Sequence, residues 1–302
     1  MDEERTADEL VSDVSDQANG LDRLEDVDAD LDEQLAFLAQ DVRRRASRYL
    51  FLARALSDEE ITFGLIDGLR DIPPRTHTEL DAFAASLRGD SDPQTDANVS
   101  NACRAVRADH QAVFTSDVVG EGHGELSLLE SRSVRFAVAQ DGGADVDEVD
   151  EVDGETGEVR SPYVDAQDVV DSIEEAYATY DFDRKKSRYI PEANMPVDHV
   201  CAELSFLAYL GGRASDALDS IVSGRVREDS DEGFSALDEA QTCMNDQFNF
   251  IADHSVYWVP AFCDRLERRA ATSFYRGVAQ LLRQVIESDQ DYLDAMDPTG
   301  AR

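Results

Sequence analysis

The sequence has almost no lysine. Lys185 and Lys186 are the only two, within 28 basic residues set against 66 acidic ones, and the net charge is −38. A surface so short of positive charge repels phosphate, which excludes general binding to nucleic acid. Cysteine is scarce as well. Cys103, Cys201, Cys243 and Cys263 lie far apart with no C-x-x-C pair, so reduced, buried thiols are expected rather than a disulfide framework. No uninterrupted apolar run approaches the length that spans a bilayer, and no apolar core follows the opening M-D-E-E-R. A soluble, cytoplasmic protein without stable membrane insertion is expected. Alternating apolar and polar residues, the mark of strands and hairpins, are missing too.

Catalytic signatures are equally thin. There is no H-E-x-x-H, no G-x-S-x-G and no P-loop. His77, His110, His123, His199 and His254 are dispersed, without the spacing of a helical metal site or a di-iron bundle. Nothing asks for a metal or a cofactor.

What is present is acid, spread along the whole chain. An even carboxylate surface reads as that of a halophile's protein, hydrated in strong brine; the rival reading is a surface shaped for one basic partner. Hydrophobic residues make up 42% of 302, enough for a real core in one large domain or two small ones. Residues 1–32 read as an acidic arm, 33–295 as one helical domain and 296–302 as a tail. The low-complexity tract Asp141–Glu158 reads as an exposed insertion that lacks the register of a calcium loop.

The periodic segments are all helical. Leu35, Leu38, Val42, Ala46, Tyr49, Leu50 and Ala53 mark a long first helix, with Arg43, Arg44, Arg45 and Arg48 on a solvated face. A capping box at Ser57–Glu60 opens a helix through Ile61, Leu65 and Leu69, and a second at Thr76–Glu79 opens one through Phe83 and Leu87. Val99 to Phe114 forms another, with His110 as a core or boundary histidine, and Tyr163 to Tyr180 another. A glycine-bearing loop occupies 115–133. Late in the chain, Phe234 to Ser255, Phe262 to Ala270 and Phe274 to Val285 repeat the pattern, with Pro260 as a break. The fold expected is all-α, a single globular bundle of roughly nine to eleven helices.

Tyr189–Gly212 concentrates the candidate chemistry. Pro196 suits the first helical position, Asp198 falls in the first turn where a carboxylate complements the dipole, and His199 follows at the rim of an apolar stripe. Gly211-Gly212 would end that helix. Asp198 and His199 could form half of a catalytic set only with a nucleophile from elsewhere. A metal-dependent helical hydrolase and a generic helical adaptor therefore stand beside a binding role.

Several stretches, taken in order, resemble the TorD/DmsD/NarJ family of redox-enzyme maturation chaperones. They are R-Y-L-F-L-A-R-A-L-S at 48–57, D-H-Q-A-V-F-T at 109–115, L-L-E-S at 128–131 and M-P-V-D-H-V-C-A-E-L-S-F-L-A-Y-L from Met195. W-V-P-A-F-C-D-R-L from Trp258, S-F-Y-R-G-V-A-Q-L-L from Ser273 and Asp289 complete the set. The resemblance runs from about residue 35 to 293, with Met195 where a glutamate often precedes the proline. It implies an all-helical protein that is not an enzyme. Such a protein would bind the twin-arginine signal peptide, or another N-terminal segment, of the catalytic subunit of a molybdopterin oxidoreductase of the DMSO, TMAO or nitrate reductase type. It would act as a monomer or homodimer and hold the apo-enzyme until its cofactor is in place. The peptide-binding candidates are Asp198 as first partner for arginine, Glu192 as second, Pro196 and His199 at the groove mouth, and Glu130 and Ser131 on a facing loop.

Overall fold

The structure is a computed structural model. It describes residues 31–57, 61–71, 78–88, 95–114, 128, 166–182, 196–226 and 230–296. Among these there is no strand, and the fold is all-α. The helices are α1 (Leu31–Ala55), α2 (Phe63–Gly68), α3 (Thr78–Leu87), α4 (Thr95–Phe114), α5 (Ala166–Thr179), α6 (Val200–Val222), α7 (Asp231–Phe250), α8 (Val256–Arg269) and α9 (Ser273–Met296).

Local chemistry sets several of their ends. The Thr62 hydroxyl accepts from the Leu65 amide at 3.2 Å and caps α2; that helix therefore starts later than the expected box at Ser57, which is buried in the stretch after α1. Ser230 caps α7 by accepting from Gly233 N at 3.1 Å. α5 closes on two paired amides: Phe182 N donates to Tyr177 O at 2.9 Å and Asp181 N to Ala178 O at 3.1 Å. Asp181 takes the left-handed conformation, φ 49°, that this closure requires.

Two expected breaks are absent. α6 runs through Gly211-Gly212 to Val222. A Cβ at Gly211 would meet the Ala46 Cβ at 3.0 Å and the Gln247 Nε2 at 3.2 Å, so the glycine serves close helix packing rather than termination. Pro260 lies inside α8 and does not end it. A π turn at Ile251–Ser255 immediately precedes α8, and such turns loosen the hydrogen-bond ladder that a proline ring otherwise strains.

The chain divides into two compact units. The first comprises residues 1–51, 204–252 and 288–302. Its core is built from the apolar stripes of α1, α6 and α7, with Leu38, Val42, Leu207, Leu218, Met244 and Phe248 buried. Gln247 Nε2 donates to Leu207 O at 2.7 Å and Ser215 Oγ to Ala39 O at 3.2 Å, so these two side chains are paired inside the core. Arg45, expected on a solvated face, is instead 7% exposed. Its guanidinium lies 4.5 Å from the Phe248 ring centroid and donates to Asp289 at 2.7 Å. Helical spacing puts Arg45 beside Val42 and Tyr49, and the acid that compensates its burial lies far away in sequence.

The second unit comprises residues 52–203 and 253–287. Its core is aromatic. Phe83 and Phe274 meet at 5.3 Å, Trp258 and Phe262 at 5.4 Å, and the His110 ring packs against Phe114 at 4.7 Å and Tyr275 at 5.9 Å. The last carbonyls of α1 find side-chain donors here: Tyr275 Oη donates to Ala55 O and His110 Nε2 to Leu56 O, both at 3.1 Å. His110 is thus a core histidine, as its place on the apolar side of α4 suggests. Asp109 receives the amides of Ala271 at 3.0 Å and Thr272 at 2.7 Å, together with the Thr272 hydroxyl at 2.5 Å. Those contacts fix the entry to α9.

Candidate functional site

Of the six candidate residues, Pro196, Asp198 and His199 are described; Glu192, Glu130 and Ser131 lie outside the described residues. So do residues 1–30, His77, His123 and the tract 141–158. The candidate site is therefore the turn Pro196–His199 and the start of α6, all within the second unit.

The turn is built from backbone upward. His199 N donates to Pro196 O at 3.4 Å and closes it. Val197 is buried, and its carbonyl accepts from the Tyr177 hydroxyl at 3.1 Å, which ties the turn to α5. Tyr177 is held in turn by an edge contact with Phe182, ring centroids 5.1 Å apart. The first amide of α6, Val200 N, donates to Leu128 O at 2.8 Å.

α6 starts at Val200, so the sequence register is corrected by a few residues. Pro196 is exposed and stands ahead of the helix. Asp198 precedes the helix rather than lying in its first turn. His199 is the capping residue: its carbonyl accepts from Ala202 N at 2.7 Å and Glu203 N at 3.1 Å, and its Nδ1 accepts from Cys201 N at 3.1 Å. Capping by a side-chain acceptor satisfies an amide that the helix leaves open. This is the physical reason that the helix begins one residue after His199.

Electrostatics follow from burial. Burial drives the His199 imidazole down to about 4, outweighing the nearby Asp198 carboxylate, which pulls the other way, and aided by His110. At neutral pH the ring is uncharged. Because Nδ1 accepts an amide hydrogen, the proton sits on Nε2. Asp198 is 3% exposed and Glu203, in the first turn of α6, 2% exposed. Two carboxylates flank the helix start, where the dipole favours negative charge.

This arrangement does not make a catalytic dyad. The His199 nitrogen on its backbone side is committed to capping. Among the described residues, no group of three or more His, Cys, Asp or Glu side chains is placed to hold a metal ion. The turn leaves Pro196 exposed and buries the Asp198 and Glu203 carboxylates.

Sequence reasoning did not pick out Glu203 as part of this site, although it stands as an acid within the run Val200–Ala208, which is buried throughout. An ionisable residue in an apolar stripe was the signal available. Asp109 and Asp289 were visible as motif residues, but their roles as a cap and as the Arg45 partner were not.

Comparison with known proteins bears on this same segment. Residues 160–264 match the family model of the nitrate reductase delta subunit. The matched segment contains α5, the Pro196–His199 turn, α6 and α7. The chain is also similar to chaperone protein TorD of Vibrio cholerae serotype O1, El Tor Inaba, at 32% identity over 103 residues. That stretch covers 34% of this chain and 39% of the relative. The TorD proteins of the Classical Ogawa and M66-2 strains match at 30% over the same length. The chain thus spans about two fifths of the length of these curated relatives. They are chaperones by name, not enzymes. No solved structure matches the chain. Among the described residues, no helix is long and apolar enough to cross a membrane.

Proposed function

We propose that this chain is an assembly chaperone of the TorD/NarJ kind. Its client is the catalytic subunit of a molybdopterin oxidoreductase. It holds the twin-arginine signal peptide, or another N-terminal segment of that subunit, in the cytoplasm until the cofactor is in place. The observation that carries the reading is the match over residues 160–264 together with what lies inside it: a buried-acid turn opening onto a largely apolar helix.

The physical chemistry supports it. A signal peptide offers arginines followed by an apolar stretch. Carboxylates accept guanidinium bidentately, and an apolar surface between helices takes the rest. Pro196 forms the outer edge of the site. Asp198 is the arginine partner, and because it is buried, binding requires the turn to open. His199 and Glu203 keep the helix start in register while that happens. Glu192, Glu130 and Ser131 complete the proposed contact set. The carboxylate-rich, lysine-poor sequence fits work at high salt. At about 1 M salt the Debye length is about 3 Å, so recognition there rests on contacts rather than on the long-range field of the −38 charge.

The test is a titration of the full chain with a labelled twin-arginine peptide, a lysine-lysine version and a scrambled one, at about 1 M salt. Tighter binding of the twin-arginine form supports the reading; equal binding of all three sinks it.

A further inference from the structure

The Pro196–His199 turn is tied down on two sides, and the two ties differ in kind. On one side Val200 N donates to Leu128 O at 2.8 Å, backbone to backbone. On the other the donor is a side chain, the Tyr177 hydroxyl, which reaches Val197 O at 3.1 Å. Val197 and Tyr177 are both buried, so this bond serves a carbonyl that needs a partner from within the protein.

Tyr177 is well braced. It stands in the last turn of α5, and its own carbonyl accepts from Phe182 N at 2.9 Å and Tyr180 N at 3.3 Å, which closes that helix. Its ring rests edge-on against Phe182. None of the closing bonds uses the hydroxyl. The tie to Val197 can therefore break while α5 stays whole.

Directly after Val197 comes Asp198, 3% exposed. Behind it, Val200, Cys201 and Ala202 at the start of α6 are at most 1% exposed. An arginine that reaches Asp198 has to displace the turn. It also brings five N–H donors, so after pairing with a carboxylate it still has one for a neighbouring carbonyl.

We propose that the Tyr177 hydroxyl is the latch of the peptide site. It holds the turn closed over Asp198 and yields the Val197 carbonyl to an arginine of the incoming client segment. The latch rests on the twin-arginine reading above and adds the residue that regulates it. It makes the open, binding-competent turn a minor population, and apparent affinity falls in proportion to that population. Tyr177 acts through the turn and is a positioning residue.

Tyr177→Phe removes the hydroxyl and keeps the ring against Phe182. Two measurements on the full chain read the result. The first is hydrogen exchange without peptide at Val200 and Cys201, whose amides are bonded to Leu128 O and His199 Nδ1. It is expected to quicken about threefold to tenfold, the scale of one neutral hydrogen bond. Ala271 and Thr272, held by Asp109 in the same unit, keep their rates. The second is titration with the labelled twin-arginine peptide at about 1 M salt, where binding is expected to tighten by a similar factor. Asp109→Ala, which loosens the same unit away from the turn, leaves the affinity unchanged.

Unchanged exchange at Val200 and Cys201, or peptide binding that is unchanged or weaker, overturns the latch. An equal gain in Asp109→Ala overturns it too, because general loosening then explains the effect. The native chain separates these outcomes from failure of the underlying reading. If it binds twin-arginine, lysine-lysine and scrambled peptides alike, the reading falls and the latch falls with it. If it selects the twin-arginine form while Tyr177→Phe gains nothing, only the latch falls.

Discussion

Arg45 donates to Asp289 across 2.7 Å, with both side chains under a tenth exposed and the two residues 244 positions apart in the chain. Tyr49 donates to the other oxygen of the same carboxylate. Burial works against the Arg45 charge, but the Asp289 carboxylate outweighs it and holds the guanidinium above its ordinary proton affinity. Burial foremost, then the Asp289 charge, keeps the Tyr49 proton on as well. Removing one partner strands the other. Asp289→Ala is expected to destabilise the fold by about 3–5 kcal/mol, and the double change Arg45→Met/Asp289→Leu by much less. Urea melts read both; equal losses would show that the ion pair itself is not what the site needs.

His199 predicts both a cap effect and a pH effect. Losing the acceptor for Cys201 N in His199→Ala is expected to reduce stability by about 1 kcal/mol, with His199→Asn retaining much of it. The folded value of about 4 lies below the ordinary 6.5. Between these values the unfolded chain binds the proton and the folded chain does not. The contribution of the neutral ring is therefore complete above about 6.5 and is lost as pH falls towards 4, with a slope of at most about 1.4 kcal/mol per unit. The difference in stability between the native chain and His199→Asn, followed over pH 4–7, isolates this from the many carboxylates; a flat difference contradicts it.

Gly277 is the tightest helix contact among the described glycines. A Cβ there would sit 2.6 Å from Leu80 N and 2.8 Å from its Cα, which are backbone atoms that cannot rotate away. Gly277→Ala is expected to destabilise by about 1–3 kcal/mol. Gly68→Ala has open space around it and should be neutral or stabilising by up to about 1 kcal/mol. Thermal melts of the pair give opposite signs if packing rather than propensity governs Gly277.

Asp109 links α4 to the loop before α9 through three hydrogen bonds. Asp109→Ala leaves the amides of Ala271 and Thr272 without this acceptor and should destabilise by about 1–3 kcal/mol. Hydrogen exchange should quicken first at Thr272 and Tyr275. Uniform quickening across the second unit would point to global destabilisation instead of a local cap.

For the proposed peptide site, Asp198→Asn is expected to weaken twin-arginine peptide binding about tenfold or more, the scale of losing one charged hydrogen bond. Replacing several exposed acids together should weaken it less, because their attraction is screened at high salt. Equal losses place the arginine partner elsewhere.

Much of the fold was legible because helical periodicity reports burial directly. Of the expected stripe on α1, Leu35, Leu38, Val42, Ala46, Tyr49 and Ala53 are buried as their spacing requires, and Leu50 is half-buried. His110 was legible as a core residue for the same reason. The candidate site was legible only as a location. Asp198 and His199 do sit at the start of α6, but the register of that start depended on which side chain could reach the Cys201 amide. Spacing alone does not tell a helix-start acid from one buried just ahead of the helix.

The sequence by itself determined the all-α architecture, the scarcity of positive charge and the segment in which the chain resembles its relatives. These are properties of composition and short-range pattern, and they need no knowledge of what packs against what. Tertiary structure decided the rest. It carried α6 through Gly211-Gly212, because Ala46 and Gln247 press close to Gly211. It buried Arg45, because Asp289 and Phe248 arrive from distant parts of the chain to receive it. It turned His199 from a possible catalytic base into a neutral cap, because burial removes the proton and a backbone amide takes the freed nitrogen. In each case the deciding partner was remote in sequence or fixed by a local geometry that the residue types alone leave open.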